Sequence, residues 1–99
     1  MKTAYVLDVP RLIGTRPSSK ALADTVPVTE KSVVLNFAAT LSAAQGACDE
    51  LVRELIQSRG IEVTAFCYSP RTAQYLTRAA ILRRVSPLLT VISLQPTAL

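Results

Sequence analysis

The period of hydrophobic and polar positions changes several times along this chain, and each change is marked by a breaker or a cap. Ala4 to Val9 (AYVLDV) is apolar and β-prone and stops at Pro10, which cannot donate to a ladder, so a first strand is expected there. Arg11 to Gly14 (RLIG) is a link that extends or re-enters the sheet. Thr15 then supplies an N-cap and Pro17 a first-turn residue for a short helix over about 17–24. After a connector containing Pro27, Ser32 to Ala38 (SVVLNFA) is a nearly unbroken β-prone run. A run apolar on both faces predicts a central strand with cover on both sides. Asn36, near its carboxyl end, is placed to hydrogen-bond the loop that follows.

The period then becomes helical. Ala44, Ala47, Cys48, Leu51, Val52, Leu55 and Ile56 recur at three- and four-residue spacing, while Asp49, Glu50, Arg53, Glu54 and Gln57 take the other face. Ser42 is the expected N-cap, Asp49 and Arg53 form a favoured acid-then-base pair, and Arg59-Gly60 closes the helix. Gly46 near its start suggests a close approach by a neighbouring element. Ile61 to Tyr68 (IEVTAFCY) alternates as a strand, with Val63, Ala65 and Cys67 on one side. Ser69-Pro70 opens a second long helix running to about Arg83, buried through Ala73, Leu76, Ala79, Ala80 and Ile81, with Arg71, Gln74 and Arg78 outside. Strand, helix, strand in this order implies a right-handed crossover and parallel pairing. Leu88 to Leu94, fenced by Pro87 and Pro96, is read as an edge strand or as an apolar arm for another subunit.

At 99 residues the chain is sized for a single domain over 1–99, with its core at about 32–84 and a tail at 85–99. Apolar runs are short and interrupted by charge, so no transmembrane helix is expected. MKTAYVLDVP lacks a signal-peptide core, which gives a cytoplasmic expectation. The chain has no histidine, which removes Ser-His, Cys-His and histidine-based metal chemistry. Cys48 and Cys67 are the only cysteines and are not in a CxxC pair, so they read as buried thiols, with a disulfide as the lesser alternative. No catalytic residue, cofactor site or metal site is identified. The net charge of +4 is mild, and Arg78, Arg83 and Arg84 are its one cluster.

The stretch from Val33 to Val85 resembles a STAS domain, the fold of sulphate transporter tails and anti-sigma factor antagonists. The shared features are the strand ending in Asn36-Phe37, a loop leading to Cys48-Asp49-Glu50-Leu51, the turn at Gly60, the helix start Ser69-Pro70-Arg71 and an upstream Gly14-Thr15-Arg16. It is most similar to a bacterial STAS-like family of unknown function, over roughly residues 12–86. The resemblance implies an α/β STAS-like fold, with a small mixed β-sheet of about four strands, a βαβα core and helices mainly on one face. It implies a non-catalytic regulatory module that binds a protein partner, a histidine-kinase-like ATPase in the antagonists, through the loop and first turn of the long helix. The matching positions are Thr40, Leu41, Ser42, Ala44, Gln45, Gly46 and Asp49. Where antagonists carry a phosphorylated serine this chain has Ala44, and Asn36 replaces the usual acid, so the phosphoswitch is expected to be lost. The alternative is a small basic protein that meets nucleic acid or nucleotide through its arginines. A homodimer is left open.

Overall fold

A computed structural model describes residues 3–94. Four strands, β1 (Tyr5–Asp8), β3 (Ser32–Asn36), β5 (Glu62–Cys67) and β6 (Leu89–Ser93), form one sheet in the order β1-β3-β5-β6. The two-residue strands β2 (Leu12–Ile13) and β4 (Ser42–Ala43) pair as a separate parallel ribbon. The helices are α1 (Arg16–Asp24), α2 (Gln45–Leu51), continued by a π-helical segment Val52–Gln57, and α3 (Pro70–Leu82). A 3-10 turn, Ser86–Leu88, leads into β6.

The sheet is parallel throughout rather than mixed, since β1–β3, β3–β5 and β5–β6 all run in one direction. The reason is connectivity: a helix stands between each strand and the next, including α3 before β6, and no hairpin joins any two of them. Each new strand is added on the same side of the last. With right-handed crossovers, that progression leaves every helix on one face.

Burial follows from this. Val33, Leu35, Val63, Ala65 and Cys67 point under the helices and are 0–2 % exposed. The opposite face carries Val34, Thr64, Phe66 and Ile92, which are half-buried, and Val6, which is exposed. The expected cover on both faces of Ser32–Ala38 is therefore present on one face among the described residues. Leu51, Leu55, Ile56 and Leu76 complete the core from the helix side. The edge-strand reading of Leu88 to Leu94 corresponds to β6, and 95–99 lie outside the described residues.

Local signals act where the residues placed them. The Thr15 hydroxyl caps α1 by accepting from the Ser18 N–H at 3.2 Å. The Asn36 side-chain Oδ1 accepts from the Ala38 N–H at 3.1 Å and so holds the turn after β3. Gly60 closes the long helix at φ +66°. Arg84, just past α3, adopts φ 60° without being glycine. Arg84→Gly is expected to stabilise the protein by roughly 1 kcal/mol, read as a rise in urea midpoint, because glycine removes the Cβ cost of that region.

Candidate functional site

The loop read as the docking surface follows β3 and is fixed by backbone rather than by charge. The Thr40 hydroxyl donates towards the Val9 and Pro10 carbonyls at 3.1 and 3.0 Å, tying the loop to the end of β1. The Leu41 N–H bonds the Arg11 carbonyl at 2.8 Å and the Ala44 N–H bonds the Ile13 carbonyl at 2.9 Å. This pairing draws Ser42 into β4, so Ala44, not Ser42, occupies the N-cap of α2. Alanine offers no side-chain cap, and Ser69 at the cap of α3 makes no cap hydrogen bond either.

The two helix starts stand beside each other at the carboxyl end of the sheet, with a groove of about 690 Å³ between them. One wall is Leu41, Ser42, Ala43 and Ala44; the other is Ser69, Pro70, Arg71, Thr72, Gln74 and Tyr75. Leu41 stands 69 % exposed at the rim. Among the described residues Arg71 is the groove's one charged lining residue, and both helix dipoles present their positive ends to this region. Beyond Tyr75 lies a second groove of about 570 Å³, lined by Arg16, Gln45, Gly46, Asp49, Arg78, Leu82 and Arg83 among others. The predicted residues Leu41, Ser42 and Ala44 thus share the first groove, and Gln45, Gly46 and Asp49 share the second. Thr40 lines neither groove and acts as the tie behind the loop.

Asp49 is the most constrained of these residues. Its carboxylate receives a two-pronged contact from Arg83, Nε to Oδ1 at 2.9 Å and Nη2 to Oδ2 at 2.6 Å, and a third bond from Arg16 Nη1 at 2.6 Å. One carboxylate thereby joins α2 to both α1 and α3. Hydrogen bonding by Arg83, and then by Arg16, lowers the Asp49 carboxyl to about 2 against the opposing effect of its partial burial. The same bonds raise both guanidinium values. The expected Asp49–Arg53 pair does not form. Arg53 turns to Glu50 at 2.9 Å and to Glu54 at 3.4 Å. Glu50, expected on the outer face, is 5 % exposed, its oxygens bonded by Arg53 and, at 3.4 Å, by Arg16. The close approach expected at Gly46 is not seen among the described residues: a Cβ added there would lie 3.7 Å from Arg16 Nε, an ordinary contact with a long side chain.

Residue reading missed the second wall. Arg71, Tyr75, Arg78 and Leu82 follow one another at four, three and four residues along α3, a stripe that lies along the two grooves. That spacing was present in the sequence, but no apolar periodicity drew attention to it. Arg83, one of the three clustered arginines, is a structural partner of Asp49 and Gln57. Cys48 and Cys67 are buried free thiols, and burial pushes them up to about 12 and about 11.

Comparison with family models, with curated proteins and with solved structures finds no match to this chain. Among the described residues no helix is long and apolar enough to cross a membrane.

Proposed function

We propose that this protein is a non-catalytic regulatory module of STAS-like fold that docks a protein partner through the loop and first turn of α2. The observation that carries this reading is Leu41, an exposed leucine at the rim of a groove that two helix starts and Arg71 make positive. The partner sets apolar side chains around Leu41 and offers an acidic group to the groove. The resemblance to anti-sigma factor antagonists points to an ATPase-type kinase as that partner. Ala44 at the N-cap presents no hydroxyl, so docking is not switched by phosphate at that position.

Two features weigh against the competing readings. The nucleic-acid reading relied on the cluster Arg78, Arg83 and Arg84, and Arg83 is committed to Asp49 and Gln57. Both cysteines are held as protonated, inaccessible thiols, a poor state for a nucleophile.

The test begins with a photo-crosslinking residue at position 41 in native cells, followed by purification of the captured protein and titration against the full chain. Leu41→Asp is expected to weaken binding by about tenfold or more, since it places a negative charge where apolar contact is made and where the partner's acidic group approaches. Lys20→Glu, on the exposed side of α1, should leave it unchanged. A captured protein that binds Leu41→Asp as tightly as wild type would overturn the reading. So would salt-sensitive retention on nucleic acid that Arg78→Glu alone abolishes.

A further inference from the structure

Among the described residues nothing pairs with the outer edge of β6, the last strand of the sheet. The Leu94 N–H bonds the Cys67 carbonyl at 2.8 Å, which fixes the direction of every backbone group on β6. Successive residues of a strand direct their N–H and C=O to opposite sides. Thr90 and Ile92, in phase with Leu94, face β5, and Leu89, Val91 and Ser93 turn theirs outward. Native edges are guarded by charge, proline or a bulge. From Leu88 to Leu94 (LLTVISL) there is no charge, whereas the opposite edge, β1, carries Asp8; each strand has a proline two residues beyond one end, Pro87 before β6 and Pro10 after β1.

The helix beside this edge is also unfinished. Ile81 was expected to be buried and is 59 % exposed; Leu82 is 74 % exposed. Both line a groove of about 650 Å³ between α3 and β6, together with Val91. Among the described residues the only charged one lining it is Arg78. What fits is a neutral, apolar strand with an apolar helix face next to it, and this chain carries that pair of features in β6 and α3.

We propose that the protein forms a two-fold dimer in which β6 pairs antiparallel with β6 of a second copy, centred on Val91. Val91 then faces Val91 of the partner copy as a hydrogen-bonded pair, and Leu89 faces Ser93. The two sheets continue as one, and the Ile81 turns of the two α3 helices close over the join. A heterologous contact would leave edges open and grow, whereas this isologous one consumes the unguarded edge of both copies. A specific interface needs about 1,000 Å² in total, and five residues of strand plus the Ile81–Leu82 turn from each copy are of that scale. The proposal rests on β6 and Ile81, which line neither docking groove, although Arg78 and Leu82 border both this groove and the second one.

Sedimentation equilibrium of the full chain is expected to give a dimer. Ile81→Glu, an exposed position that the fold tolerates, should weaken dimerisation by about tenfold or more by burying like charges in an apolar join. Val91→Cys should form an interchain disulfide on mild oxidation, because a hydrogen-bonded antiparallel pair holds its Cα atoms about 5.5 Å apart, within disulfide range. Thr90→Cys should not, since its opposite number is Ile92, and the buried Cys48 and Cys67 do not compete. A monomer at all concentrations overturns the proposal, as does growth beyond the dimer, the sign of β6 adding to β1 of the next copy. A dimer that Ile81→Glu leaves intact, or that Val91→Cys fails to trap, also overturns it; such a dimer would use another surface, for example the open sheet face around Phe66.

Discussion

Leu76→Ala is expected to destabilise the protein by about 3–4 kcal/mol, one of the largest effects of any single truncation in the chain. Leu76 is 0 % exposed and is the one large side chain that α3 buries completely. The other buried positions of that helix are Thr72, Ala79 and Ala80. None of them can move into the space a lost isobutyl group leaves, so the cavity would stay largely open. Against a total stability of about 5–15 kcal/mol for a domain of this kind, the loss is a large fraction. Urea denaturation should show the midpoint falling with an unchanged slope. Val28→Ala is the control: at 86 % exposure, in the connector before β3, it should shift stability by no more than about 0.5 kcal/mol. If the two variants lose stability equally, α3 is not held by Leu76.

The contrast between Leu76 and Ile81 marks how far the sequence could be read. Both are apolar and both fell on the side of α3 read as buried, yet one is enclosed and the other lines a surface groove. Helical spacing identifies the centre of an apolar stripe but not where the neighbouring sheet ends. Here the sheet stops at β6, and the margin of the stripe overhangs it. The element boundaries were legible because their causes are local: Pro10 after β1, Thr15 before α1, Gly60 after the long helix and Ser69-Pro70 before α3.

Features set by distant partners were not legible. Ser42 has good N-cap chemistry, but pairing of β4 with β2 takes it into a ribbon and passes the cap to Ala44. Glu50 has a polar side chain, but guanidinium groups of Arg16 and Arg53 let it sit 5 % exposed. The parallel direction of β6 depends on α3 lying between it and β5 rather than on any residue within it. For the candidate site the loop from Thr40 to Gly46 supplied one side. Arg71 and Tyr75 supply the facing side from a helix that begins after the next strand, and only the parallel crossover brings the two together.

Acid is expected to remove a defined part of this stability through Asp49. Its folded value lies at about 2, below the ordinary value of 3.8. A carboxyl group held down in the folded state contributes stability that is present above its unfolded value and is lost as pH falls through the folded one. The window is therefore from about pH 4 down to about pH 2, and the contribution is on the order of 1–2 kcal/mol once solvent screening is allowed for. Removing the carboxylate has a second consequence. Arg83 is 24 % exposed, and without Asp49 its guanidinium retains only Gln57 among the partners described. Asp49→Ala at neutral pH should accordingly destabilise by about 2–3 kcal/mol, from three lost charge-assisted bonds and one half-buried cation left short of partners. Because Arg16 and Arg83 reach Asp49 from different helices, the loss should loosen α1 and α3 together, visible as faster amide exchange in both. Wild type and Asp49→Ala compared by urea denaturation across this pH range should differ most at neutral pH and converge as the wild-type carboxylate is protonated. A difference that stays constant down to the lowest pH would mean that the three contacts contribute nothing through charge.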